Sequence, residues 1–165
     1  MIGFTLIELM VTLSVLVILL TVGVPQLAYL VGHNSRTVEV NTMIGHLNFA
    51  RAEAIMRASE IVLCPVRRGD PATCTETPWS DGYAVVDPQT GEALRYQKSS
   101  HRVAIRPTRN FADGVTFQDD GSVRGAAGGS FHFCTSVGNV EPRRLVVSGV
   151  GRTLVSGDAN CSGSG

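Results

Sequence analysis

Charge is scarce in this sequence. Only 17% of its 165 residues are Asp, Glu, Lys or Arg, and 14 basic side chains balance 14 acidic ones, so the formal net charge is zero. A disordered chain needs low hydrophobicity and high net charge, and a nucleic-acid-binding protein usually has a pI above about 9. Neither class fits a chain that is 44% hydrophobic with a pI near 6.9. Because a domain takes roughly 150 residues, we expect one domain with an appendage.

The motifs of common enzyme classes are also missing. The sequence contains no G-x-x-x-x-G-K-[ST], no H-E-x-x-H and no G-x-S-x-G. Gly149 and Gly151 begin a G-x-G, but the sixth position is Leu154, so the dinucleotide fingerprint is incomplete. Asp119 and Asp120 lack the carboxylate series of a calcium loop and are typical of a hairpin turn. We therefore expect no enzymatic activity and no cofactor.

The four cysteines do not form a C-x-x-C pair. His132 and Cys134 are two apart on a predicted strand, but zinc needs four ligands, so we expect no metal site. An even number of cysteines in an exported domain favours disulfides, for which three connectivities exist. We favour Cys64–Cys74, which closes a short loop, and Cys134–Cys161, which fastens the C-terminal segment to a central strand.

Hydrophobic residues are concentrated near the N-terminus. Between Phe4 and Val31, 20 of 28 residues are apolar and the only charged side chain is Glu8. A helix from Phe4 to Val24 is about 32 Å long, close to the ~30 Å hydrocarbon thickness of a bilayer. A cleaved secretory signal is the alternative, but no Lys or Arg precedes the run, the run is too long, and no small-x-small site closes it. The run therefore predicts a membrane-spanning helix.

Glu8 is the unusual residue of this run. A carboxylate inside a membrane helix costs roughly 2.5–3.5 kcal/mol on insertion scales, so such a residue usually has a partner and a function. The segment Gly3-Phe4-Thr5-Leu6-Ile7-Glu8 resembles the cleavage and methylation motif of type IV pilins and of type II secretion pseudopilins. The resemblance implies that a prepilin peptidase cuts between Gly3 and Phe4 and methylates the Phe4 amine. Glu8 would then pair with the Phe4 ammonium of a neighbouring subunit, neutralising two buried charges on assembly.

The resemblance also sets the expected organisation of the chain. Pro25 stands where pilin-like helices often carry a proline, and its missing N–H predicts a kink. Residues 1–3 are expected to be a leader remnant, 4–31 a transmembrane and filament-core helix, and 32–165 a periplasmic globular domain. The short leader lacks the usual basic residues, which we attribute to a misassigned start codon or to truncation.

Beyond the apolar run, the spacing of the apolar residues changes twice. Apolar residues at spacings of three and four predict an amphipathic helix that continues the membrane helix as one kinked spine to about Ser59. Its apolar stripe comprises Val40, Met43, Ile44, Leu47, Ala50 and Ala54, and the side chains mostly off the stripe are Arg36, Glu39, Arg51, Glu53 and Arg57. Short alternating runs then predict strands near 61–66, 82–87, 93–97, 103–106, 115–118, 122–124, 131–135, 144–148 and 153–156. The expected fold is α+β and pilin-like, with the helix packed on antiparallel β-sheets.

Three further segments resemble the GspH/FimT family of minor pilins and pseudopilins. They are Leu47–Ile55 in the helix, Trp79–Asp87 with the order W-x-x-G-[WY], and the glycine-arginine element Ser148–Arg152. The resemblance implies a minor pilin of the priming complex or tip of a type IV pilus, partnered by other minor pilins and the major pilin. It would lie in the inner membrane before entering the filament. The alternative within the same family is a pseudopilin of a type II secretion system.

A third interpretation is DNA binding in natural transformation, because some FimT-like minor pilins bind DNA through a C-terminal G-R-x-R element. The second arginine is missing here, which leaves Arg143, Arg144 and Arg152 as candidate phosphate contacts. The opposing interpretation is a solvated surface in which arginines pair with acids such as Glu141. Charges beyond the apolar run sum to 14 minus 13, only +1, which weakens the case for DNA.

Overall fold

A computed structural model describes residues 5–99, 102–125, 127–137 and 139–161. One α-helix, α1, runs from Leu6 to Arg57. It begins after Thr5, whose hydroxyl accepts a hydrogen bond from the backbone N–H of Glu8 at 3.3 Å, and it ends where Ala58 adopts a left-handed conformation. The helix therefore stops close to the predicted end of the spine.

Two predicted features of this region stay predictions. The cleavage site at Gly3 and Phe4 lies outside the described residues. The backbone is helical across position 25, where the kink is expected.

The two halves of α1 differ in what covers them. The large apolar side chains from Leu6 to Leu30 are 45–76% exposed, and the most apolar window has the length and hydropathy to cross a membrane. Beyond Gly32, the helix buries one face against the globular domain. Ile44 of the predicted stripe is partly buried. The other five members are at most 5% exposed, namely Val40, Met43, Leu47, Ala50 and Ala54.

Described strands follow the helix in the order β1 Ile61–Arg67, β2 Asp70–Cys74, β3 Tyr83–Asp87, β4 Glu92–Gln97, β5 Val103–Pro107, β6 Val115–Phe117, β7 Gly129–Thr135, β8 Arg143–Val147 and β9 Thr153–Ser156. One antiparallel sheet has the order β2-β1-β3-β4, with β6 also paired to β1, and the second has the order β5-β7-β8-β9. This arrangement confirms the predicted α+β architecture, with one long helix packed on antiparallel sheets.

An aromatic cluster fills the space between the helix and the sheets. The ring of Phe131 meets the edge of Trp79 at 4.8 Å and stacks on Phe111 at 5.4 Å between centroids. The indole Nε1 of Trp79 donates to the carbonyl of Ala112 at 3.0 Å, so its polar atom is satisfied although the side chain is buried. These contacts join β7 to the segment that precedes β3 and to the short turn at residues 109–112.

One predicted strand and one predicted loop were wrong. The segment Ser122–Arg124 forms only an isolated bridge, Val123 to Phe117, because it emerges directly from a tight turn. The segment predicted as the loop between Cys64 and Cys74 instead contains β2, which pairs with β1 as a hairpin. Its five residues are largely exposed and include a proline, and they show no alternation of apolar and polar side chains.

Arg36 and Glu39, predicted to lie off the buried face of α1, are only 3% exposed. The Glu39 carboxylate accepts hydrogen bonds from the hydroxyls of Ser99 at 2.9 Å and Tyr83 at 3.4 Å. Burial, and secondarily the negative charge of Glu39, raises the pKa of Tyr83. These groups come from distant parts of the chain, and their hydrogen bonds offset the cost of burying the carboxylate.

Candidate functional site

The exposed half of α1 carries one carboxylate on an otherwise apolar surface. The hydroxyls of Thr12, Ser14 and Thr21 donate to carbonyls of their own helix at 2.8–3.0 Å. Within the part of the chain that the structure describes, the side chain of Glu8 has no such partner. This half of α1 therefore presents an exposed apolar surface with one carboxylate in its first turn.

The segment Trp79–Tyr83 belongs to the core. Both aromatic side chains are at most 2% exposed, and the ring of His46 lies edge-on to Tyr83 at 5.2 Å. Burial is the main cause that lowers the pKa of His46, and the hydrogen bond from its Nδ1 to the carbonyl of Thr42 opposes the shift. These side chains stabilise the contact between α1 and β3 and offer no accessible chemistry.

The helix signature Leu47–Ile55 and the glycine-arginine element Ser148–Arg152 lie close together in the structure. Arg51 of α1 donates from Nε to the carbonyl of Gly121 at 3.0 Å. Gly151, with φ +77°, packs on the same carbonyl, and a Cβ at this position would overlap it. The helix signature and the glycine-arginine element are thus two sides of one contact at the 119–121 turn.

The cysteines are joined as Cys64–Cys74 and Cys134–Cys161, the pairing favoured from the sequence. The second bond holds the C-terminal segment against β7. Arg106 reinforces it by donating to the carbonyl of Cys161 at 2.7 Å. No group of three or more His, Cys, Asp or Glu residues suited to a metal is found among the described residues.

Intact-mass measurement tests the cysteine pairing. Chain isolated from an oxidising compartment should be lighter than the same chain after reduction by the mass of four hydrogens, two for each bond. Peptide mapping without reductant should recover each pair as one linked species. Free thiols at all four positions in exported protein would contradict the prediction.

The structure separates the three candidate DNA-binding arginines. Because side chains alternate along β8 and Leu145 faces the core, Arg143 lies towards α1 and Arg144 on the outer face of the sheet, opposite His132. Burial and the charge of Arg144 lower the pKa of His132. Arg152 follows the turn at the other end of the β8–β9 hairpin. The three side chains therefore do not form one basic patch.

A cavity of about 310 Å³ lies where the helix enters the globular domain. Its lining residues are Tyr29, His33, Arg36, Asn139, Glu141 and Arg143. Tyr29 and His33 belong to no sequence motif and Arg36 was expected off the apolar stripe, but their spacing of four and three places all three on one helix face. That spacing, directly at the end of the apolar run, is the feature of the sequence that could have indicated the cavity.

Comparison with known proteins gave matches to a family and to solved structures. Residues 39–151, more than half of the chain, match the family model described as Type II transport protein GspH. Two crystal forms of the type IV minor pilin FimU of Pseudomonas aeruginosa have the same fold, each with a TM-score of 0.56 at 20% identity. The matches cover 74% of this chain and 91% and 87% of the FimU chains. No curated protein sequence matches.

Proposed function

This chain belongs to the GspH family of minor pilins and pseudopilins, and from that premise we propose that it is a minor pilin in type IV pilus assembly. It is cleaved by a prepilin peptidase between Gly3 and Phe4 and methylated on the Phe4 amine. Residues 4–31 hold it in the inner membrane with its globular domain in the periplasm. It then joins the priming complex or tip of the filament in a structural, non-catalytic role.

The exposed half of α1 carries this proposal. Its large apolar side chains are 45–76% exposed, and none of its most apolar window is buried within the chain. Such a surface is unstable in water but is matched by lipid before assembly and by the equivalent helices of neighbouring subunits afterwards. The transfer from bilayer to filament exchanges one apolar environment for another, so the cost of extraction is small for the apolar side chains.

The carboxylate of Glu8 favours transfer of the subunit from the bilayer into the filament. In lipid it is an unpaired acid, whereas in a filament it meets the Phe4 ammonium of the adjacent subunit. Each charge offsets the desolvation cost of the other only when the subunits are assembled. The pair therefore favours the filament over the dispersed membrane form.

A pseudopilin of a type II secretion system is the second candidate. The description of the matching family, Type II transport protein GspH, supports it. The same processing, anchoring and helix packing serve either system. Neighbouring genes discriminate the two: pilus assembly genes and other minor pilins support the first candidate, and genes for a secretion ATPase and secretin support the second.

DNA uptake is not the function that we propose. Phosphate binding requires several cations presented together. Arg143 and Arg144 lie on opposite faces of the same strand, and Arg152 lies beyond the far end of that strand.

Isolation of sheared filaments tests the proposed function. We expect an epitope-tagged chain to occur in the filament fraction, lacking residues 1–3 and carrying one additional methyl group on Phe4. In cells without prepilin peptidase, the unprocessed chain should remain in the membrane fraction. A chain with residues 1–3 retained in filaments, or a processed chain absent from the filaments of cells with intact pili, would contradict the proposal.

A further inference from the structure

The cavity at the junction of the two halves of α1 combines a helix face with a loop. Tyr29, His33 and Arg36 line it from the helix, and the rings of Tyr29 and His33 lie 6.1 Å apart. Asn139, Glu141 and Arg143 line it from the segment that leads into β8. The cavity is therefore part aromatic and mainly polar, with two arginines.

The cavity lies at the level of α1 that the proposed function places at the membrane surface. Tyr29 belongs to the apolar segment that we place in the bilayer, and Gly32 already packs against the backbone of Val137. Tyrosine is enriched at the boundary between hydrocarbon and water. Because α1 rises 1.5 Å per residue, His33 and Arg36 lie about 6 and 10 Å further along the helix, in the headgroup region.

The charge in the cavity is not balanced. Arg36 is buried and donates from one terminal nitrogen to the backbone carbonyl of Glu141, but its Nε is buried without a hydrogen-bond partner. Burial lowers the pKa of Arg36, and the charge of Arg143 lowers it further. Repulsion from Arg143 is stronger than the opposing effect of Tyr29 or that of Glu141 taken singly, and the lining has two arginines but only one carboxylate, that of Glu141. Among the described residues, neither arginine forms an ion pair.

A buried guanidinium that forms no ion pair is costly, and planar guanidinium groups match phosphate oxygens well. We propose that this cavity binds the phosphate of an anionic phospholipid headgroup between Arg36 and Arg143. The inference rests on the proposed function, because it requires the membrane placement of the apolar half of α1. The lipid holds the subunit at the membrane surface until its extraction into the filament.

The helix face below the cavity favours a lipid over free phosphate. Val22 and Ile18 lie seven and eleven residues before Tyr29, on the same face of α1, and are 61% and 62% exposed. An acyl chain attached to a headgroup in the cavity would run along this apolar stripe. Free phosphate would use only the upper part of the site.

Native mass spectrometry of the full chain in detergent micelles tests the proposal. The micelles are supplemented with phosphatidylglycerol, phosphatidylcholine or inorganic phosphate. We expect one phosphatidylglycerol to be retained, with lower retention of phosphatidylcholine. Arg143→Gln should weaken retention of phosphatidylglycerol about tenfold, since it removes one charge-assisted hydrogen bond. Arg152→Gln is the matched control, because Arg152 is an exposed arginine beyond the far end of the same strand, and it should change nothing.

Equal retention by Arg143→Gln and Arg152→Gln would overturn the inference, as would equal retention of the two lipids. Displacement of the lipid by inorganic phosphate at matched concentration would assign the site to free phosphate and contradict the proposal that its ligand is a lipid. Arg36→Lys retains the charge but not the planar fork, so a folded variant, with intact disulfides and unchanged circular dichroism, should also bind more weakly. Filament incorporation is scored separately. If the processed chain occurs in filaments but its retention of lipid does not depend on Arg143, the proposed function holds and this inference fails.

Discussion

Glu8→Val is expected to reduce incorporation of the chain into filaments at least tenfold. The substitution removes the carboxylate that would neutralise the Phe4 ammonium of the neighbouring subunit. That ammonium would then be buried in the filament without a partner, a change that typically costs about 3–5 kcal/mol. Quantitative immunoblotting of sheared filaments, normalised to the membrane fraction, measures the effect.

Thr12→Val is the matched control for this experiment. Thr12 lies four residues further along the same exposed surface, but its hydroxyl donates to the carbonyl of Leu9 at 2.8 Å and needs no partner from another subunit. The control should enter filaments normally. Both variants should retain the disulfides and the circular dichroism spectrum of the parent chain. Normal incorporation of Glu8→Val would refute the pairing between subunits.

The spine and the general fold were predictable because their signals are local. A residue such as Met43 or Leu47 repeats at helical spacing whatever it packs against, and a strand such as Tyr83–Asp87 shows its β-branched and aromatic residues in a short run. Glu8 was likewise visible as the single charge in an apolar run. These features depend on neighbours within a few residues.

Features that depend on distant partners were not predictable in the same way. The hydroxyl that satisfies Glu39 comes from Ser99, and the carbonyl that accepts from Arg36 belongs to Glu141. Helical periodicity alone assigned both residues to the exposed side. The pattern of β8 could have separated Arg143 from Arg144, because adjacent strand residues face opposite ways. Proximity in sequence had favoured treating them as one cluster.

The glycine-arginine element illustrates how a motif can mark a contact that the sequence does not reveal. Gly151 and Arg51 are separated by most of the globular domain, yet both contact the backbone carbonyl of Gly121. Together they fix the β8–β9 turn and the 119–121 turn to α1. In this chain the motif thus has a clear structural role in holding the C-terminal hairpin on the helix.

Gly151→Ala is consequently expected to lower the free energy of unfolding by about 2–4 kcal/mol. Roughly 1 kcal/mol comes from placing a Cβ at φ +77°, where side chains are disfavoured. The remainder comes from overlap with the Gly121 carbonyl and the Arg51 side chain, since overpacking a close contact typically costs 1–3 kcal/mol. Urea unfolding of the chain in mild detergent, followed by tryptophan fluorescence, measures the change, because Trp79 is the only tryptophan and lies in the core.

Gly91→Ala separates the two contributions. Gly91 has nearly the same φ angle, +71°, but a Cβ there would meet no atom within 4 Å. It should therefore show only the conformational cost of about 1 kcal/mol. If both substitutions destabilised the chain equally, the close approach of Gly151 to the 119–121 turn would contribute nothing. The contact between the helix signature and the glycine-arginine element would then not be what stabilises the hairpin on α1.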